Sequence, residues 1–484
     1  MKIKSEHRKK AVAVLFALLC ISFILVKLKN SMLHDSDHAF MLFEGRRIAK
    51  GGIQYFNGAS PVSGMHIVVQ QWLYALILYL VHRAAGWEGV YFMSLAEMAL
   101  FLWLAYRLTK VHGYSKTTAF YTSLVISTFY AAVITAEKPE IITECLLMTE
   151  MIMLEKYAQT EKKKYLAYAV LTVLPEANLH VSTWFVHVLM AGAYMLPYDR
   201  IPMLKNQRSR HYDVRPVQAA GIAMCLMSMA SPYGIEGTLY IFKSAVSGMA
   251  EIGIGELSAP EIKNDTGIMA LILLAGALKH VKKEKPETTI TFIGCFIMFA
   301  IAFRNIQFLM ISAVPVAAGY LKYLSKSVLP NTLAYKPLYG LIICYLVITG
   351  AAGMALPVSE GKDSSYPRNA LRYLRDHEKG ERVRIMTTYD TGSYFENAGY
   401  IIFMDSRSEN WFIGSNKKEE ITAKYLNLQN DPYIKTFKRI RKKYGYKYIV
   451  ADRGSAFKAM CDMDDTLKQV SQDSGPAMYK VIKN

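Results

Sequence analysis

"LKNSMLHDSDHAFMLFEGRRIAKGG", residues 28–52, follows the first apolar run of the chain and decides how the rest is read. It crowds Asp35, Asp37, Glu44, Arg46 and Arg47 against the end of that run, where charge beside a bilayer is expensive. Upstream, "MKIKSEHRKKAVAVLFALLCISFILVKLKN" has a basic start and an apolar stretch, with no small-residue cleavage site before Lys27. That pattern predicts an uncleaved signal anchor, with Lys2 to Lys10 cytoplasmic and residues 11–28 crossing outward. The acids of the opening stretch then face outward.

Working along the chain supports a polytopic reading. Of 484 residues, 52% are hydrophobic and 20% charged, and near-spanning apolar runs recur from residue 11 to 356. The net charge of +18 would suggest nucleic acid in a soluble protein. Here the basic residues sit in short loops beside apolar runs (107–116, 159–164, 198–215, 279–287 and 321–336), as the positive-inside rule requires. An even number of spans separates consecutive basic loops, so all five can be cytoplasmic together. The outward segments are 30–66, 84–89, 137–140, 175–180, 231–265, 303–305 and everything after Leu356. "HIVVQQWLYALILYLVH" (66–82) breaks the alternation and is read as a juxtamembrane or re-entrant helix, its rival being a full span. Six scattered cysteines show no metal spacing.

The expected fold is therefore mainly α. Residues 1–356 form a transmembrane bundle of about 11 spans plus that extra helix, with outward loops 30–66 and 231–265. Residues 357–484 form a small extracytoplasmic α/β domain. In it "PRNALRYLRDHEKG" reads as a helix ending on Gly380, and "DPYIKTFKRIRKKYG" as one closing on Gly445. "RVRIMTT", "YIIFMD", "YKYIV" and "MYKVIK" read as strands.

Several stretches, in order, resemble the GT-C class of membrane glycosyltransferases, in particular a large bacterial branch of polytopic proteins. "DSDHAFMLFEG" (35–45) is similar to an Asp-x-Asp followed by a helix ending in Gly, and "QQWLYALI" (70–77) to the Trp-Leu pair opening the next helix. "EKPEIITECLL" (137–147) is similar to an Arg-Pro-Gln stretch, and "EANLHVSTW" (176–184) to an Ala-Asn-Leu-His-Gly motif with Val181 in place of Gly. "SPYGIEGTLYI" (231–241) resembles an Asn-Pro-x-Gly loop with Ser231 for Asn, and "FRNIQFLMISAVPVAA" (303–318) an Arg-Asn-x-x-Phe span. "YIIFMDSRSENW" (400–411) resembles a Phe-x-Asp-x-Arg-x-Glu signature. The resemblance implies transfer of a sugar from a polyprenyl-phosphate carrier to an envelope acceptor at the outer face. The partners it implies are a lipid-linked donor and the membrane, with no nucleic acid. No covalently bound cofactor is expected, and divalent-metal use and protein partners stay open. The altered Gly and Asn keep a second reading, a catalytically silent binding or scaffolding relative.

Such a transfer needs a base for the acceptor proton and cations for the leaving phosphate. Asp35 and Asp37 are the candidate catalytic acids, Asp35 first by similarity. The plain alternative is that either caps the helix that follows. Arg304 with Asn305 and Lys138 are candidate phosphate contacts, a guanidinium fork fitting phosphate well. The plain alternatives are a snorkelling arginine and a flanking lysine. Pro175 is expected to break a helix, leaving Glu176, Asn178 and His180 at a polar turn that either satisfies itself or lines an acceptor or headgroup pocket. His187 reads as a packed histidine, and Glu97, Glu144 and Glu150 as acids without a paired pattern. No spacing fits a zinc site. The segment 231–265, flexible through Gly248, Gly253 and Gly255, reads as a lid over a lipid substrate or as an ordinary surface loop. Asp405, Arg407 and Glu409 could share one strand face and read as a local ion pair shaping a turn, worth about 0–1 kcal/mol if exposed, or as an acceptor contact.

Overall fold

The computed structural model describes residues 2–31, 36–133, 138–198, 212–245, 258–260, 265–280, 285–327, 365–378 and 382–483. The chain is mostly helical with one small sheet, and it separates into two compact units.

The first unit comprises Met1–Met32, Trp87–Gly234 and Gly253–Val358. Helix Glu140–Thr160 packs on Lys164–Leu179, which packs on Arg215–Met227. Pro286–Ile301 packs on Ile306–Ser327, which also meets Lys116–Val133 and Asp265–His280. Its core is apolar, with Phe101, Leu147, Phe292 and Leu309 fully buried, but much of its surface is apolar as well. Leu15, Leu18, Ile21 and Leu25 stand exposed along one face of helix Lys2–Ser31, and Phe92, Trp103, Leu171, Ile222, Leu226, Ile272 and Ile297 are exposed on others. Meanwhile Glu144, Glu150, Glu155, Glu176 and His187 are buried. Apolar surface on this scale marks a membrane-facing protein. Among the described residues one helix, Trp72–Val111, is both long and apolar enough to cross a membrane. Helix Glu140–Thr160 has the length, about 31 Å at 1.5 Å per residue. Its four glutamates point inward or sit at its start, so a hydropathy test undervalues it.

Gly86 interrupts Trp72–Val111, with φ 63° and ψ −157°. Only glycine adopts that backbone readily. The part before it, 72–85, is about 21 Å long and falls short of a hydrocarbon core of roughly 30 Å.

The second unit comprises Leu33–Gly86, Ile235–Ile252 and Ser359–Asn484. Its five-stranded sheet has the order β2-β1-β3-β5-β4, from β1 (Arg384–Met386), β2 (Ile401–Ile402), β3 (Tyr448–Asp452), β4 (Leu467–Gln472) and β5 (Pro476–Val481). β2, β1 and β3 are parallel, whereas β5 and β4 are antiparallel. Central β3 is buried from Tyr448 to Ala451, as a strand covered on both faces must be. Helix Ile434–Tyr444 closes on Gly445 in the left-handed region, as its sequence predicts. The expected stop at Gly380 lies outside the described residues.

The segment that follows the first helix is built into this unit. Phe43, Ala59 and Met65 share its core with Trp411, Phe403 and Phe437. The Ile402 N–H donates to Ala59 O at 2.8 Å, and the His66 N–H to Asn416 O at 3.0 Å. Glu236 adds an ion pair to His66 (3.3 Å) and another to Lys417 (3.1 Å). Helix Ser36–Gly51 runs past Gly45 rather than ending there. Gly45 is a point of close approach: a Cβ on it would lie 2.1 Å from the Ala75 carbonyl oxygen.

Candidate functional site

In the second unit, helix Ser36–Gly51 carries Asp37 in its first turn, half-buried. Its Oδ1 accepts from the Ser406 hydroxyl at 3.2 Å, and Ser406 in turn meets Ser393 at 3.2 Å. Tyr389, just past β1, lies in the same field. Burial and the carboxylates of Glu409, Asp37, Asp390 and Asp405 push its phenol well up, so it stays a neutral donor. Asp452, at the end of neighbouring β3, is pushed up to about 6 by burial and by Asp390, while Thr388 donates to it at 3.2 Å. These groups gather where parallel strands β1 and β3 end, the usual location of a site in such sheets. Asp35 lies outside the described residues, and so does most of the expected lid, 246–257 and 261–264.

Beneath Asp37 lies a buried ionic cluster. Arg407 donates to Asp405 Oδ2 at 3.0 Å through Nε and again through a terminal nitrogen. It also donates to Glu44 at 2.8 Å and to both oxygens of Glu396 at 2.6 Å. Arg47 holds the other Glu44 oxygen at 2.9 Å, the Trp411 indole N–H donates to Asp405 at 2.8 Å, and the Phe40 ring lies 4.9 Å from the guanidinium. Burial pushes Glu396 well up, more than Arg407 pulls it down, so Glu396 carries a proton. Burial opposes ionisation of Asp405, yet Arg407 and the hydrogen bonds hold it below the usual carboxylate range. Two guanidiniums thus face Glu44, an ionised Asp405 and a neutral Glu396. Asp405 and Arg407 thus form the expected local ion pair, but at the centre of a buried network, to which surface-pair energetics do not apply. Glu409 leaves that network and accepts from Tyr240.

The remaining candidates belong to the first unit. Arg304 is exposed on the short turn Phe303–Asn305, which the Phe303 N–H anchors to Ser258 O at 2.9 Å. Asn305 spends its amide on Met298 O at 2.8 Å, closing helix Pro286–Ile301. Lys138 is half-buried, directly before helix Glu140–Thr160. Asn178 bridges Leu174 O (2.8 Å) and Ala230 O (2.9 Å), so it ties two helix ends together.

Pro175 does not break its helix. Lys164–Leu179 continues through it, and the break comes at His180, with φ −159° and ψ 72°. Pro175 removes one backbone donor in the last turns, which the remaining bonds tolerate. Beyond the break Thr183 donates to Glu176 and to His180 O, and Thr143 lies 3.5 Å from His180 Nδ1. His187, expected to be merely packed, is paired with Glu150 through Nδ1 and lies 3.7 Å from Glu176 through Nε2. Glu144 is likewise engaged, accepting from Tyr130 at 2.6 Å. Their partners come from other helices, so spacing along one segment gives no sign of them. Among the described residues no group of three or more His, Cys, Asp or Glu side chains is arranged to hold a metal.

No protein-family model matches the chain, and no curated protein matches it. Its fold does match solved structures. Oligosaccharyltransferase AglB from Archaeoglobus fulgidus, in complex with an inhibitory peptide and a dolichol-phosphate, aligns with a TM-score of 0.61 at 11% identity. The match covers 92% of this chain and 70% of that one. An Archaeoglobus fulgidus oligosaccharyltransferase in complex with Zn and sulfate aligns at 0.63 and 13% identity, over 91% of this chain and 68% of that one. ArnT from Cupriavidus metallidurans, bound to undecaprenyl phosphate, aligns at 0.55 and 11% identity, over 96% of this chain and 97% of that one. The likeness first read from ordered motifs is thus a likeness of the whole fold: the chain has the fold of the GT-C membrane glycosyltransferases.

Proposed function

We propose that this chain is a membrane glycosyltransferase that moves a sugar from a polyprenyl-phosphate carrier to an envelope acceptor at the outer face. The observation that carries the reading is Asp37, a half-buried carboxylate at the start of the helix after the anchor, steadied on one oxygen by Ser406 and neighboured by the neutral phenol of Tyr389. In a chain with a GT-C fold that placement suits a general base. In the proposed step the acceptor hydroxyl gives its proton to Asp37 and its oxygen bonds to the anomeric carbon. The bond from that carbon to the phosphate oxygen breaks, so the carrier leaves as its phosphate with inversion. Base assistance of this kind is worth about 10²–10⁴ in rate. Asp35 is proposed as a second acid by resemblance. Arg304 and Lys138 are proposed to meet the carrier phosphate, and Glu176 with His180 to shape the acceptor side. Asn305 and Asn178, both spent on backbone carbonyls, serve by fixing the turns they sit in. Lys2–Lys10 is assigned to the cytoplasm and the second unit to the outside, on the charge of the loops.

The test is transfer in membranes from an extract of lipid-linked sugars, comparing wild type with Asp37→Asn and Asp35→Asn. The reading predicts wild-type transfer and its loss in at least one variant; equal transfer by all three removes the base. One observation favours the silent alternative. Val181, where the resembling motif has glycine, is buried at 2% exposure, so its side chain fills space that glycine would leave open. Under that reading wild type itself transfers nothing.

A further inference from the structure

The second unit carries a groove of about 580 Å³ that the proposed transfer does not use. It is lined by Arg368, Arg372, Arg375, Tyr366, Tyr400 and Glu378, among others. The three arginines stand at i, i+4 and i+7 of helix Arg368–His377, so they share one face about 10 Å long, while Ala370 and Leu374 bury the other. The lining acid does not cancel Arg372 or Arg375, because Glu378 is already bound to Lys447 at 2.7 Å and to the Tyr448 hydroxyl at 2.5 Å. Arg375 lies 4.0 Å from Asp376 with both side chains mostly exposed, a pair too solvated to neutralise it. The helix N-terminus is not the attraction: Asp473 already takes the Asn369 and Ala370 N–H groups, at 2.9 and 3.3 Å. The Tyr366 ring is braced edge-on by Tyr394 at 5.1 Å, and Tyr400 by Phe395 at 6.5 Å.

We infer that this groove binds an anionic saccharide chain, its acidic groups on the arginine row and its sugar faces against Tyr366 and Tyr400. Guanidinium forks suit carboxylate or phosphate substituents. Held aromatic faces suit the apolar faces of sugar rings, and the volume lies within the usual range for small-ligand sites. A row this long exceeds one ring, so the ligand is an oligomer rather than a monosaccharide. A lipid surface fits less well, since none of the large exposed hydrophobic residues lines the groove.

The experiment uses the full chain in detergent without any sugar donor, so its outcome is independent of transfer. Hexagalacturonate is titrated calorimetrically against the neutral maltohexaose, with inorganic phosphate and vesicles containing phosphatidylglycerol as further arms. The expected result is binding of hexagalacturonate, at least about tenfold weaker maltohexaose binding, and about tenfold loss in the double variant Arg372→Glu/Arg375→Glu. Both arginines are exposed, so that variant should keep the wild-type melting temperature. Tyr400→Ala should weaken hexagalacturonate and leave phosphate unchanged. Equal binding of the neutral oligomer, undiminished binding by the double variant, phosphate competing as well as the oligomer, or binding to the vesicles alone would each overturn the assignment.

Discussion

Arg407 and Glu396 make the same contact yet should respond very differently to substitution. Arg407→Met removes the group that meets Asp405, Glu44 and Glu396 together, all of them at most 1% exposed. Stripping one partner from a buried pair costs about 3–5 kcal/mol, because the opposing charge stays buried and unpaired. Glu396→Gln should cost under about 1.5 kcal/mol. Glu396 already holds its proton, and an amide reproduces one acceptor for Arg407 and one donor for Asp405. Hydrogen–deuterium exchange of the peptide spanning 400–412 reads this locally. Exchange through opening of that segment should rise roughly 10²- to 10⁴-fold in Arg407→Met and less than about tenfold in Glu396→Gln. Asp405→Asn, which weakens both the Arg407 and Trp411 bonds, should resemble Arg407→Met. If Glu396→Gln opens the segment as far as Arg407→Met does, Glu396 is ionised and the charge assignment is wrong.

Other expectations follow from single contacts. Asp452 has a carboxyl raised to about 6, so the native state holds its proton more tightly than the unfolded chain and stability falls as pH rises from about 4 to 6. Asp452→Asn should therefore raise the melting temperature at pH 8, by up to about 3 kcal/mol of stability, and change nothing at pH 3.5. Glu419 behaves oppositely. Although burial opposes ionisation, Lys424, Lys443 and Tyr444 hold it at about 2. Its contribution is thus present above the ordinary carboxylate range and lost as pH falls toward 2; Glu419→Gln should destabilise at pH 7 and be silent in acid. Gly45→Ala would press a methyl into the Ala75 carbonyl, and should lower stability by about 1–3 kcal/mol or abolish soluble extraction from the membrane.

Much of the fold is legible from local pattern. β3 and β5 show in the apolar content of "YKYIV" and "MYKVIK", and Gly445 marks a helix end. β4, "LKQVSQ", escapes notice because an edge strand with mostly solvated side chains has no apolar signal. Helix Ala456–Met463 had a readable start, Ser455 capping the Lys458 N–H, within a run too short to show a period. The site was legible only in part. Asp37 and Arg407 were visible as types in motifs. The contact of Asp37 with Ser406, 369 positions away, and those of Arg407 with Glu44 and Glu396, 363 and 11 positions away, were not. Likewise His187 and Glu150 are 37 residues apart, and only packing reveals the pair.

The proposed transfer rests on Asp37 as the acceptor's base. Release of polyprenyl phosphate from an extract of lipid-linked sugars, followed in membranes carrying wild type or Asp37→Asn, measures that directly. A fall of about 10²–10⁴ in rate, with both proteins folded and carrier still bound, is the predicted result. Release at the wild-type rate by Asp37→Asn would contradict it.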